Sequence, residues 1–229
     1  MELRPYQQEA VRAINEKWDE WQRELLVLPT GCGKTVVFNT IANQRPGRTL
    51  ILAHREELIE QARDKYQKMF GEMPGKIKAQ ENDIRRVTVG SIQTMMRRDY
   101  AGAFDTVIID ESSSFKNPQA KRFRALRAVL PRIDRLVELT GTPAPNGLED
   151  LWPEIYLLDQ GARLGRTLGQ FRAKYLVPEK MSGHIVYSYR ARPGAEEEVY
   201  SQLADLCMSI RKEDVLSLPG QIYEDIELT

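Results

Sequence analysis

Five short apolar runs, 25–28, 49–53, 87–89, 106–109 and 136–139, alternate with stretches in which apolar residues recur every three or four positions. The runs are too short for buried helices and suit strands covered on both faces. The stretches between them, Lys34 to Ala42, Glu56 to Phe70 and Gln119 to Val129, read as helices, and Gly71 closes the second as a C-terminal cap. Strands alternating with helices in this way specify an α/β fold: a parallel sheet with helices on both faces. Ahead of the first strand, Leu3, Tyr6, Ala10, Val11, Ile14 and Trp18 share one helical face, and Pro5 suits its first turn.

With 229 residues, 41% of them hydrophobic and 29% charged, the chain has enough apolar material for a sizeable core. Lys plus Arg and Asp plus Glu both number 33, so no global basic field advertises nucleic acid or an anionic membrane. A polyanionic partner must therefore be held by a local patch. Cys32, Cys207, His54 and His184 are scattered, without the spacing of a metal site or a disulfide framework, and a reducing cytosolic compartment is expected. Charge at Met1-Glu2-Leu3-Arg4 argues against a signal peptide, and no run of roughly 18 apolar residues offers a membrane span.

The texture changes near Gly147. Residues 1–147 read as the sheet domain, 148–218 as a helical extension and 219–229 as the start of a linker. Within the extension, Leu148 to Leu158, Leu168 to Leu176 and Glu196 to Ile210 read as helices, with one β-rich stretch from His184 to Tyr189. Neither internal repeats nor low-complexity segments are present.

The first strand runs directly into Pro29-Thr30-Gly31-Cys32-Gly33-Lys34-Thr35, a glycine-rich turn that opens a helix. This is phosphate-loop architecture. Glycines let backbone N–H groups point at a phosphate at the helix N-terminus, Lys34 can reach the β- and γ-phosphates, and the Thr35 hydroxyl can ligate Mg²⁺. The strict pattern has Gly where this chain has Leu28. Downstream, Asp110 and Glu111 end an apolar strand, at the sheet edge where open α/β sheets bind ligands. Asp110 is expected to hold the metal through water and Glu111 to polarise an attacking water, with Lys34 as the third catalytic group. Thr140 and Thr142, in Leu139-Thr140-Gly141-Thr142-Pro143, follow another strand and are expected to relay nucleotide state. Taken alone, that segment reads as a turn.

These motifs together resemble the first RecA-like lobe of superfamily 2 helicases and translocases, and the resemblance covers nearly the whole chain. It implies a P-loop NTPase fold and ATP with Mg²⁺ as cofactors. Arg4-Pro5-Tyr6-Gln7 is similar to the family's adenine-reading motif, which makes Gln7 the expected adenine contact with Arg4 in support. Residues 53–58 and 89–94 resemble its two strand-tracking motifs, so Arg55, Ser91, Gln93 and Thr94 are the implied contacts to the sugar-phosphate backbone, a sequence-blind mode. From Lys116-Asn117-Pro118 to Leu218-Pro219 the chain resembles Snf-type duplex-DNA translocases, especially phage-encoded ones. Its front half looks more like restriction-enzyme and repair-helicase motors, and a chimeric origin is one reading of the two halves.

The resemblance implies DNA as partner, duplex ahead of single strand, no membrane, and the cytoplasm of a prokaryote or a phage-infected host. It also implies a second RecA-like lobe supplying arginines to the γ-phosphate. No such motif follows Pro219, so the chain is expected to be a fragment or a natural half-motor that turns over poorly alone. The rival is a module that holds nucleotide or DNA without hydrolysis; a phosphate-loop kinase is a third and weaker reading. Trp18, Trp21 and Trp152 are read as packing residues, as is Cys207, placed on a helix. Lys121, Arg122, Arg124, Arg127, Arg132 and Arg135 form either a solvated face or a DNA-facing ridge.

Overall fold

The computed structural model describes residues 2–210 except Asp19, Trp21, Asp99, Ala101, Thr142, Pro143 and Pro145, together with the side chain of Ser113. The expectations for Trp21, for Thr142 and for everything after Ile210 lie outside the described residues.

Helix α1 (Pro5–Lys17) leads into β1 (Arg23–Val27), α2 (Lys34–Gln44), β2 (Thr49–Ala53) and α3 (Glu56–Phe70). A second stretch carries β3 (Gly75–Lys78), β4 (Glu81–Asp83), β5 (Val87–Ser91) and the single turn α4 (Ile92–Met95), then β6 (Thr106–Asp110), α5 (Lys121–Val129) and β7 (Arg135–Thr140). Beyond Gly147 come α6 (Leu151–Asp159), α7 (Leu168–Tyr175), a hairpin of β8 (Leu176–Ser182) and β9 (Ile185–Ala191), α8 (Ala195–Leu203) and β10 (Cys207–Ser209). Eight strands make one sheet in the order β10-β1-β7-β6-β2-β5-β3-β4, parallel throughout except where β4 runs against β3.

Alternation along each strand divides the core in two. Leu26, Ile51, Val89, Ile108, Val137 and Leu139 face α1, α2 and α3, meeting Ile14, Phe38, Ile41, Ile59 and Tyr66. Leu25, Leu50, Leu52, Val107, Ile109 and Leu136 face the other way, onto Phe123 and Leu126 of α5 and Trp152, Ile155, Phe171 and Val199 of α6, α7 and α8. Burial on both sides explains why the strands read as near-continuous apolar runs, interrupted at Thr88 and Glu138, rather than alternating ones. At about 25 cal/mol per Å² of apolar surface removed from water, this two-sided burial is the main source of stability.

The segment after Gly147 thus covers one face of the sheet. Two of its expected elements differ in the structure. The helix expected from Glu196 to Ile210 ends at Leu203, and Cys207, Met208 and Ser209 pair in parallel with Leu25, Leu26 and Val27. The apolar spacing of Leu203, Leu206 and Ile210 fits a helix, but the free edge of β1 offers a ladder of backbone hydrogen bonds, and that tertiary partner decides. Cys207 therefore lies on a strand rather than a helix, with its thiol pushed up to about 12, first by burial and then by Glu138. The helix expected to reach Leu176 stops at Tyr175, because Leu176 opens the hairpin strand that answers the β-rich stretch. Trp18 and Trp152 are buried, as packing residues should be. Arg45 and Arg135 stack on Trp18, with guanidinium carbons 3.4 and 4.8 Å from the ring centroid.

Candidate functional site

Because the seven strands β10, β1, β7, β6, β2, β5 and β3 run in parallel, their C-terminal ends share one edge. Three loops that leave this edge carry most of the polar residues of interest. The ladder continues one residue beyond β1, with Leu28 N–H donating 2.9 Å to Thr140 O. Leu28 is fully buried in the core, which accounts for a leucine where the strict loop pattern has glycine. The chain then turns, Cys32 N–H donating 3.1 Å to Pro29 O, and leaves Thr30 and Gly31 exposed.

Gly33 is favoured by its backbone, and Gln7 packs close against it. Its φ of 79° lies in the left-handed region, and a Cβ there would sit 2.6 Å from Gln7 Nε2. Gln7 Nε2 donates 3.0 Å to Cys32 O, the Tyr6 hydroxyl donates 3.1 Å to the same oxygen, and Gln7 Oε1 accepts 3.0 Å from Arg4 N–H. The Arg4 guanidinium in turn reaches the Tyr6 hydroxyl at 3.3 Å. Helix α1 is thus fastened to the loop through its first turn. Tyr6 is a loop anchor that sequence reading passed over, although it stands inside the Arg4 to Gln7 quartet. Arg4, Pro5, Tyr6 and Glu9 also line an open cavity of about 570 Å³, walled on its far side by Met208, Ser209 and Ile210. The wall follows from β10, which periodicity did not anticipate. Cys32 is fully buried, which fits a position that demands a small side chain.

Lys34, the first residue of α2, has a side chain only 11% exposed; its Nζ donates 3.4 Å to Leu28 O and pairs with Glu111 Oε1 at 2.9 Å. This ion pair crosses β7, which lies between β1 and β6. Asp110 ends β6 and is buried; burial, with Glu111 adding to it, raises its pKa to about 6, while Lys34 opposes. Glu111 has a φ of 60°, left-handed and uncommon for a residue with a side chain. Thr35 is half-buried one residue into α2. A threonine hydroxyl and a buried carboxylate are the hard oxygen donors that suit Mg²⁺, and a divalent cation would favour the ionised form of Asp110 against the burial that raises it. The residues fit the ion.

Thr140 is fully buried and its hydroxyl makes no hydrogen bond among the described residues. Next to it, a Cβ on Gly141 would lie 3.1 Å from both Lys34 Nζ and Thr30 Oγ1, so this glycine lets β7 approach the loop. Sequence reading passed over Gly141 as well, since its role depends on a neighbour more than a hundred residues away.

The residues of the two strand-tracking motifs meet across β2 and β5, where Ala53 and Ser91 are in register. Gln93 Nε2 donates 3.2 Å to His54 O, Ser91 Oγ donates 2.8 Å to Gln93 Oε1, and Arg55 Nε donates 3.1 Å to His54 Nε2. Arg55 and Gln93 are exposed, whereas Ser91 and Thr94 are buried, and Thr94 Oγ1 accepts 3.0 Å from Ala79 N–H. The His54 pKa is lowered first by burial and then by Arg55 and Arg122, with Glu111 opposing. Arg122 therefore belongs to this patch. Of the other arginines of that run, Arg124 donates 2.8 Å to Gln119 O, Arg127 lies 5.0 Å over the Tyr156 ring, and Arg135 donates to Trp18 O.

Residues 1–145 match the family model described as type III restriction enzyme, res subunit, and residues 76–227 match the SNF2-related domain. The chain is 32% identical over 130 residues to p41 of Acyrthosiphon pisum secondary endosymbiont phage 1, covering 55% of this chain and 28% of that protein. It is 31% identical over 156 residues to the DNA 3'-5' translocase XPB2 of Sulfurisphaera tokodaii, covering 67% of this chain and 34% of the relative. The SWI2/SNF2 ATPase core of Sulfolobus solfataricus, solved in complex with dsDNA, superposes with a TM-score of 0.75 at 19% identity, covering 96% of this chain and 47% of that one. That likeness shows a shared RecA-like fold. The chain spans roughly a third of the length of these two curated relatives. Among the described residues, no helix is long and apolar enough to cross a membrane.

Proposed function

The chain belongs to the superfamily 2 helicase and translocase family described by the restriction-subunit and SNF2-related models, as an N-terminal motor lobe, and on that premise we propose that it binds ATP with Mg²⁺ and drives movement along duplex DNA in concert with a second RecA-like lobe. The observation that carries the reading is the 2.9 Å pair between Lys34 and Glu111, which brings the phosphate loop and the Asp-Glu strand end together across β7.

In this reading Arg4, which lines the cavity beside α1, and Gln7, exchanging its bonds to Cys32 O and Arg4 N–H for the base, hold the adenine. Thr30 to Gly33 wrap the phosphates with backbone N–H groups, with Pro29 opening the turn, and Lys34 exchanges its carboxylate partner for phosphate oxygens. Thr35 and Asp110 would hold Mg²⁺, which supplies neutralisation of phosphate charge. Glu111, released by Lys34, accepts a proton from a water and orients it; phosphoryl transfer needs little else beyond positioning and charge. Arg55 and Gln93 at the ends of β2 and β5 contact the sugar-phosphate backbone of DNA, with Ser91 and Thr94 holding that motif in place. Thr140, between the two catalytic loops, links nucleotide state to that surface.

The test is steady-state ATP hydrolysis by the 229-residue chain, with and without duplex DNA and with an added second lobe, beside Lys34→Ala as the blank. Hydrolysis that rises with DNA and the second lobe and vanishes in Lys34→Ala is the expected result. ATP affinity unchanged in Lys34→Ala sinks the assignment, and tight ATP or DNA binding with no turnover under any condition favours a non-hydrolysing module.

A further inference from the structure

Glu138 and Glu154 are fully buried acids that the proposed reaction leaves unused, and the elements that carry them, β7 and α6, both pack against the turn that holds Ser112, the residue after Glu111. Glu138 sits on β7, in register with Ile109 of β6 and Leu25 of β1. Glu154 comes from α6, in the segment beyond Gly147. The Ser112 hydroxyl, itself fully buried, is near enough to each acid to favour its charged form, yet none of the three groups makes a hydrogen bond of ordinary geometry among the described residues. Burial dominates, raising Glu154 to about 8 and Glu138 well above the carboxylate range. Burial thus favours the protonated form of each acid, and a serine hydroxyl can accept from one carboxyl while donating to another.

Three elements meet at this serine: the strand beside β6, the turn that follows Glu111, and α6. The same turn is tied further by Ser114 N–H, which donates 3.0 Å to Glu111 O, and by Lys116, which pairs with Asp150 at 3.5 Å at the start of α6. Glu111 itself occupies left-handed backbone space, a conformation that persists in a non-glycine residue only when its surroundings hold it. Ser112 is the adjoining peptide unit and the buried end of that hold.

We propose that Ser112, held between Glu138 and Glu154, is a positioning residue for Glu111, so that α6 sets the pairing of Glu111 with Lys34 at the phosphate loop. The proposal rests on the reading of Lys34 and Glu111 given above. A change in how α6 packs, for instance by a partner bearing on the segment after Gly147, then alters the availability of Lys34 to phosphate without touching nucleotide.

A double-mutant cycle on the full chain tests this, with Mg·ATP affinity read by titration of a fluorescent ATP analogue and melting read separately in Mg²⁺-free buffer. Ser112→Ala and Glu154→Gln should each shift the affinity by about threefold or more, and by less than about 1.5-fold once Glu111 is Gln, because contacting residues couple. Equal shifts in both backgrounds, or no shift in either, overturn the proposal, as does a change confined to melting. Should Ser112→Ala fail to fold, the isosteric Glu154→Gln completes the cycle alone. Lys34→Ala runs alongside. Unchanged affinity there removes the reading of the phosphate site itself, while lost affinity with an additive cycle removes only the positioning role.

Discussion

Asp110 and Glu111 stand at the open end of β6 with a lysine 2.9 Å from Glu111, whereas Glu138 and Glu154 lie fully buried with no ion pair of their own among the described residues. Asp110 is raised to about 6 and Glu154 to about 8, both chiefly by burial; Glu111 adds to the first and Lys34 opposes it, while Lys116 opposes the second. The contrast shows how one fold keeps two kinds of acid. At the edge, a carboxylate that ionises near neutrality beside a movable cation is available for metal and water. In the buried layer, an acid without a paired cation is held toward its protonated form by the cost of burying its charge.

The sharpest way to break this contrast is to remove the edge cation. Lys34→Ala should lower Mg·ATP affinity by about 10- to 100-fold, the usual loss for a hydrogen bond to a charged group, as read by fluorescent-nucleotide titration. Gly33→Ala comes next: left-handed backbone and a 2.6 Å approach to Gln7 Nε2 should cost about 1 to 2 kcal/mol in urea unfolding and loosen the loop from α1.

The buried acids give a pH test with a definite sign. Glu154 ionises near 4.5 when unfolded and near 8 when folded, so the folded state binds more protons between those values and stability falls as pH rises through that window. Glu154→Gln should therefore raise the melting temperature at pH 8 more than at pH 5; equal gains at both would mean that Glu154 is already ionised in the fold. At the edge, Mg²⁺-dependent nucleotide binding should strengthen as pH rises through about 6, where Asp110 loses its proton. The smallest effect is expected at the exposed cluster. Arg55→Ala should weaken DNA binding by a few-fold, uniformly across sequences, and reduce the slope of affinity against salt by about 1.

Much of the edge was legible because its logic is local. The spacing of Gly31, Gly33, Lys34 and Thr35 behind an apolar run, and of Asp110 and Glu111 behind another, is a contiguous signal, and strand order then carried both to one edge. The two halves also read differently in sequence, the front like restriction and repair motors and the back like Snf-type ones. The two family models follow the same order, over residues 1–145 and 76–227, and overlap across 76–145. Tyr6, Gly141 and the Ser112 cluster were not legible, since each depends on partners from distant elements. Strands β3 and β4 escaped notice as well: Gly75–Lys78 and Glu81–Asp83 are short and rich in charge, and they become strands by extending an existing sheet.

By itself the sequence determined an α/β sheet with helices on both faces, the loop at the end of β1 and the acidic end of β6, because apolar periodicity and glycine requirements are properties of neighbours along the chain. Only the tertiary structure decided that the segment after Gly147 closes one face of the sheet and that 207–209 joins it as a strand. It alone set two buried acids behind the residue that follows Glu111. Burial and pairing depend on which surfaces meet, and the same apolar spacing serves a helix or a strand until a free sheet edge is there to receive it.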